Sequence, residues 1–221
     1  MQRPDVLSEK VQQFAGDLIG VARLFDDDFT FVTDEATAYR QSTQRIQGTA
    51  GIQLDHMRLY LELDYSLFLS HLEQFLTVGQ SSFTLRLHSK KSEPTIRWDY
   101  IRQPRSADVP SSHVQIHAHR DIWTHAMVDG GLSARARKRA NLKGRTPPIS
   151  DLHIPLGSKR FRPCAEDILL FILHEFGAHC KPGTEKILLE RRSDWERIQA
   201  RAVVREHPEE AISVLKELGL I

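Results

Sequence analysis

The spacing of hydrophobic residues divides the chain into a helical start, a strand-rich middle and a helical end. Between residues 5 and 24 the apolar residues recur at the spacing of one helix face. From Leu59 to Leu69 they occupy every second position, which is the period of a β-strand. Residues 34–51 are polar and show neither period, so the pattern assigns them no element.

The middle third continues as short strands separated by turns. The predicted strands are 29–32, 59–69, 75–78, 83–87, 96–101 and 113–118, with Gly79-Gln80 as a turn. Consecutive short strands joined by short turns pair as an antiparallel meander. The helical period returns at 121–128, 165–176, 194–206 and 208–218, with a further short strand near 152–154.

These elements predict an α+β fold. It consists of an antiparallel five- to six-stranded meander sheet, an N-terminal helix and a C-terminal set of three to four helices packed on one face. We expect a single domain over residues 1–221, with a helix and sheet core (1–128), a basic connecting segment (129–163) and a helical C-terminal part (164–221).

The amino-acid composition indicates which classes of protein are compatible with this sequence. Hydrophobic residues make up 40% of the 221 residues, which is enough for a buried core. The net charge is only +1, so a nucleic-acid site would have to be a local basic patch. Two cysteines do not form a disulfide framework, and no apolar run is long enough for a signal peptide or a membrane span. We therefore expect a cytoplasmic protein without a membrane partner.

The segment from His113 to His119 concentrates the candidate chemistry. Its odd positions carry His, Gln, His and His, whereas its even positions are apolar, so a strand here presents three imidazoles on one face. His117 and His119 would lie roughly 6–7 Å apart, which suits two rings on either side of one phosphate, whereas His113 is too distant to share that centre. Alternation in the preceding strand predicts Arg97 and Asp99 on the same face.

Cleavage of RNA needs a base, an acid and a cation. Two imidazoles can hold opposite protonation states at neutral pH, so His117 and His119 are the candidate acid and base. Arg97 would stabilise the phosphate and Asp99 would orient an imidazole. This set requires no metal ion or other cofactor.

A basic segment follows the histidines and is the candidate RNA tether, because phosphate backbones attract such clusters. Its cationic residues are Arg135, Arg137, Lys138, Arg139, Lys143, Arg145, Arg160 and Arg162.

Other interpretations of these histidines remain open. A polar strand face is ordinarily a solvated one. His117 and His119 also have a spacing that can ligate a metal, with Asp99 or His88 as further ligands. His174 and His179 are five residues apart, which does not match the four-residue spacing of a helical zinc site.

The run Arg97-Trp98-Asp99-Tyr100, a loop that ends in Pro110, then His113 and the His117-Ala118-His119 pair resembles the TumE-like toxin family of type II toxin–antitoxin systems. The resemblance covers about residues 95–120. It implies a ribonuclease that is neutralised by an antitoxin-like protein partner. It also implies functional roles for Arg97, Asp99, His117 and His119, and for His113 less directly.

The sequence thus predicts a toxin–antitoxin-type protein that acts as a metal-independent endoribonuclease on RNA. One alternative is a non-enzymatic protein-interaction module of a mobile-element or defence locus. Another is a metal protein with histidine ligands.

Overall fold

The structure is a computed structural model. It describes residues 6–38, 41–55, 57–70, 75–87, 89–106, 109–117, 148–151, 154–157 and 162–221, and for residues 35–38, 41, 154, 155 and 157 it describes the backbone alone.

Within these residues, seven strands form one antiparallel sheet in which each strand pairs with the next along the chain. They are β1 (Val32–Ala38), β2 (Gln41–Gln53), β3 (Arg58–Leu69), β4 (Leu76–Leu87), β5 (Pro94–Ile101), β6 (Ser112–Ile116) and β7 (Ile154–Gly157). The helices in the described ranges are α1 (Val6–Ala22), α2 (Ala165–Phe176), α3 (Thr184–Glu206) and α4 (Pro208–Glu217).

The predicted α+β fold is confirmed, because an antiparallel meander lies between an N-terminal helix and a C-terminal group of helices. The sheet gains strands where the polar stretch forms the β1–β2 hairpin. β1 begins at Val32, the last residue of the predicted strand. Phe29 is buried instead, and its ring packs edge-on against Phe31 at 4.9 Å. The helix predicted at 121–128 lies outside the described residues.

The predicted turn at Gly79-Gln80 is wrong, since β4 runs through it without a break. Ser66 pairs with Gln80 and Leu67 pairs with Val78, which leaves Gly79 as the extra residue of a β-bulge. A side chain at Gly79 would approach the Phe68 ring to 3.0 Å. Glycine here permits the bulge and the close approach of that ring, and it does not end the strand.

Strand alternation separates an apolar face from a polar face. Every second residue of β3, from Leu59 to Leu67, is fully buried. These residues pack beneath α1 and α2: the ring of Phe14 meets Tyr65 edge-on at 5.2 Å, and Phe171 meets Trp98 at 5.6 Å. The core therefore lies on the helical side of the sheet, and the opposite face is left for polar residues.

Helix α3 begins at Thr184, ten residues before its predicted start. Its residue Leu188 is fully buried in the hydrophobic core. Helix α4 has no buried residue. None of the helices in the described part of the chain is long and apolar enough to cross a membrane.

Candidate functional site

The sheet face that points away from α1 and α2 holds a cavity of about 830 Å³, and we call this surface the polar face. Its charged and imidazole residues are Arg45, Glu62, Asp64, Arg86, Arg97, Asp99 and His113.

The strand register brings these residues together. Across β3, β4, β5 and β6, one row consists of Asp64, Ser82, Asp99 and His113. The adjacent row consists of Glu62, Thr84, Arg97 and Gln115. Because alternate residues of paired strands share a face, both rows project into the cavity. The structure thus brings Arg97, Asp99 and His113 together on one face, as their alternation predicted.

Asp99 is the centre of a hydrogen-bonded network. Its carboxylate accepts hydrogen bonds from Ser82 Oγ at 2.7 Å and from Arg97 Nη2 at 3.1 Å. The Nε2 atom of His113 lies 3.8 Å from the same carboxylate. Since Asp99 is itself buried, these partners hold it in one position, and it holds the Arg97 guanidinium in turn.

His113 is fixed in the interior. Only 2% of its surface is exposed, and its Nδ1–H donates to the carbonyl oxygen of Pro110 at 3.0 Å. A carbonyl oxygen can only accept, so this contact places a proton on Nδ1 and turns Nε2 toward Asp99. His113 therefore lies directly beside Asp99, and the carbonyl oxygen of Pro110 fixes the orientation of its ring.

Two further arginines of the polar face are paired with carboxylates. Arg45 binds Asp64 with two hydrogen bonds, one of 2.9 Å from Nε, and this bonding raises the pKa of Arg45. Arg86 Nη2 lies 3.3 Å from Glu62. The described charges of this face are thus balanced, because each of the three arginines pairs with one carboxylate. Arg97 donates to Asp99 through Nη2, and its side chain is partly exposed, so further donors of its guanidinium can reach a ligand.

His117 lies directly after β6, where its backbone N–H donates to the Thr95 carbonyl at 2.8 Å. It follows Gln115 by two residues, so it stands beyond the Pro94 end of the cavity. Burial lowers the pKa of His117, and the charges of Arg97 and Arg86 lower it further, although Glu93 opposes them. The imidazole is therefore neutral at pH 7, and its buried Nε2 has no hydrogen-bond partner among the described residues.

Several predicted site residues fall outside the described ranges. These are His119 and the basic residues Arg135, Arg137, Lys138, Arg139, Lys143, Arg145 and Arg160. Arg162 is described, and it does not lie on the polar face. Its guanidinium packs over the rings of Tyr100 and Trp195 on the helical side of the sheet.

Sequence reasoning missed the carboxylates Glu62 and Asp64, and Arg45, the partner of Asp64. Glu62 and Asp64 alternate with the buried leucines of β3, which is the signal that places them on the polar face. Arg45 carries no such signal, because the polar sequence around it did not reveal β2. Its place on this face follows from the pairing of β2 with β3.

Within the described ranges, no group of three or more His, Cys, Asp or Glu side chains is arranged to hold a metal ion. His174 lies 2.9 Å from Glu185 and His179 lies 2.7 Å from Asp55, so these two histidines take part in separate surface pairs.

No family model matches the chain, and no curated protein or solved structure is significantly similar to it.

Proposed function

We propose that the chain is a toxin–antitoxin-type protein that cleaves RNA at the polar face as a metal-independent endoribonuclease. One observation carries the proposal. A neutral imidazole, His117, stands at the end of a cavity in which Arg97 is held by a buried carboxylate, Asp99. A base beside an oriented guanidinium is what attack on a phosphodiester requires.

His117 is the base of the reaction. Its lowered pKa favours the form that accepts a proton at neutral pH. It takes the proton from a ribose 2′-hydroxyl, and the 2′-oxygen forms a bond to the adjacent phosphorus. The bond from phosphorus to the 5′-oxygen breaks, which leaves a 2′,3′-cyclic phosphate. The 5′-oxygen takes a proton from an acid, and His119 is our candidate for that role.

Arg97 binds the phosphate during this step. The side chain of Arg97 is 37% exposed, whereas that of Asp99 is 11% exposed. Arg97 therefore reaches the cavity while its guanidinium stays bound to a carboxylate that is held in place. Fixed donors stabilise developing charge without reorganisation. Asp99 acts as a positioning residue for Arg97, because it accepts a hydrogen bond from the guanidinium. His113, which lies 3.8 Å from Asp99, acts as a positioning residue for that carboxylate.

The described charges of the polar face balance, so they provide little long-range attraction for RNA. The basic segment at 135–145 would supply it, by releasing counterions from the RNA backbone. We place the protein in the cytoplasm, with a neutralising antitoxin-like protein as its partner.

A non-enzymatic protein-interaction module is the second candidate, and the C-terminal helices favour it. Apolar side chains of α3, of α4 and of the residue after α4 are exposed among the described residues, including Val204, Ile212, Leu215 and Leu218. Exposed apolar patches of this kind mark protein interfaces. A docking protein would use them and would leave RNA intact.

The test is cleavage of a single-stranded RNA by the purified chain in the presence of EDTA. We expect the variant with His117→Ala and His119→Ala to lose cleavage by at least about 100-fold, the usual size of a lost general acid or base. His174→Ala, which removes an exposed histidine outside the polar face, is the matched control and should cleave normally.

Three results would contradict the endoribonuclease. They are unchanged cleavage by the double variant, cleavage that needs a divalent metal, and a wild-type chain that cleaves no RNA but binds a protein partner tightly. The last result would support the interaction module.

A further inference from the structure

A second cavity, of about 650 Å³, lies on the helical side of the sheet. Phe14 of α1, Phe75 before β4 and Trp195 of α3 form its aromatic walls. Four cationic side chains and two acidic ones also line it: Lys10, Arg102, Arg162, Arg205, Asp17 and Glu206. The lining thus combines an excess of positive charge with flat apolar surfaces, which suits an anion that carries a ring.

Arg162 is a cation of this cavity that packs over two aromatic rings. Its guanidinium carbon lies 5.4 Å from the centre of the Tyr100 ring and 5.6 Å from that of Trp195. Arg102 lines the same cavity and follows Tyr100 by two residues in β5 and the chain after it. Burial lowers the pKa of Arg162, and the charge of Arg102 contributes in the same direction. Among the described residues, neither arginine forms an ion pair with an acidic side chain.

Two neighbouring cations without a carboxylate are costly to bury. Each loses water, and the two repel one another. The aromatic rings compensate Arg162 in part, since a guanidinium over a ring is stabilised by about 0.5–2 kcal/mol. An anion that accepts hydrogen bonds from both guanidinium groups would remove the repulsion and satisfy the remaining donors.

We propose that this cavity binds a phosphate monoester of the mononucleotide type. The phosphate lies between Arg102 and Arg162, and its dianion matches the excess of two positive charges in the lining. The base lies against the aromatic wall of Phe14, Phe75 and Trp195. A volume of about 650 Å³ is within the range of small-molecule sites.

This site is separate from the polar face. Arg97 and Asp99 line the first cavity and not the second, and Arg162 lines the second and not the first. The proposal therefore does not depend on the endoribonuclease, and ligand binding here can be measured without an RNA substrate.

Calorimetric titration of the full chain with AMP, adenosine and ribose 5-phosphate tests the site. We expect AMP to bind, adenosine to bind at least about tenfold more weakly because it lacks the phosphate, and ribose 5-phosphate to be weaker because it lacks the stacking base. Arg102→Gln should weaken AMP binding by about tenfold or more. Arg105→Gln is the matched control, because Arg105 is exposed, lies three residues away and is outside the cavity.

Arg162→Lys gives a second test. It retains the charge but loses the planar group that stacks between Tyr100 and Trp195, so AMP binding should weaken while a thermal melt shows a folded chain. The proposal is overturned if AMP does not bind, or if Arg102→Gln binds it as tightly as the wild type. It is also overturned if Arg97→Gln, on the polar face, abolishes AMP binding.

Discussion

At the scale of single residues, His117 differs from the other described imidazole of the polar face. His113 is satisfied by Pro110 and held near Asp99, whereas the buried Nε2 of His117 has no partner in the described part of the chain. A buried polar atom without a hydrogen bond costs about 1–3 kcal/mol. Such atoms are rare in folded proteins, and Arg86 Nε on the polar face is another among the described residues.

The depressed pKa of His117 makes stability depend on pH. The unfolded imidazole binds its proton near pH 6.5 and the folded one only at lower pH, so the unfolded chain holds more protons between these values. The contribution to stability is complete above about pH 6.5 and is lost as the pH falls toward the folded pKa. We expect the melting temperature of the wild type to fall, relative to that of His117→Gln, between pH 7.5 and pH 5.

Melts of both chains across this pH range measure the effect, and His174→Gln controls for the loss of an exposed histidine. A constant difference between the wild type and His117→Gln would show that His117 titrates as it does in the unfolded chain. In the cleavage assay, the same protonation should remove the base and reduce the rate on the acidic side.

Alternation along the strands was enough to predict that Arg97, Asp99, His113 and Gln115 share a face, because it depends only on the backbone period. The depth at which each side chain lies was not predictable. His113 is buried because β7 and the chain at Pro110 come close to β6, and these contacts are remote in sequence or lie in a loop. Arg162 was grouped with a basic run for the same reason, since Trp195 and Tyr100 are 33 and 62 residues from it in sequence.

At the scale of elements, the strongly periodic segments were predicted well. Helix α2 spans the predicted residues, and β3 follows its alternating leucines. The β1–β2 hairpin was not predicted, because its strands carry few apolar residues. The strand structure of β2 depends on its pairing with β3, which the pattern within β2 does not reveal. Local propensity is a weak guide where the partner strand determines the structure.

Gly48 shows how tightly β2 packs in the core. A methyl group at this position would lie 2.5 Å from the carbonyl oxygen of Thr30 and 2.8 Å from the ring of Phe29. The backbone at Thr30 cannot move away without displacing the buried Phe29. We therefore expect Gly48→Ala to lower the free energy of unfolding by about 1–3 kcal/mol, as overpacking does.

Gly16 of α1 is the matched control. A methyl group there meets no atom within 4 Å, and alanine favours the helix over glycine by about 0.5–1 kcal/mol. Gly16→Ala should thus raise the free energy of unfolding, measured by urea titration of both variants. A neutral effect of Gly48→Ala would mean that β2 and the chain at Thr30 are not packed as described.

At the scale of the whole molecule, the sheet separates two sites with different chemistry. The polar face balances arginines against carboxylates, whereas the cavity on the helical side leaves two guanidinium groups without an acidic partner among the described residues. The helices that close the second cavity, α1 and α3, do not reach the first. Tyr100 lines both cavities, whereas Arg97, Arg102 and Arg162 each line only one, so variants of these three arginines test the two proposals independently.

Helix α4 is the part of the molecule that contributes least to the core. None of its residues is buried, and at helical spacing Ile212, Leu215 and Leu218 share an exposed side. A chain that ends at residue 206 should keep its free energy of unfolding to within about 0.5 kcal/mol, as expected when only surface is changed. It should also associate less in light-scattering measurements, because an apolar patch has been removed.

The substitution Leu215→Asp in the full chain distinguishes the effect of the exposed apolar patch from the effect of removing helix α4. If the patch drives association, this single charge should reduce it as much as the truncation does, with an unchanged urea midpoint. A loss of several kcal/mol on truncation would instead show that α4 stabilises the fold through α3. In that case the exposed apolar side of α4 would be a poor candidate for the surface that binds a protein partner. The proposal of a protein-interaction module would then lose the observation that favours it.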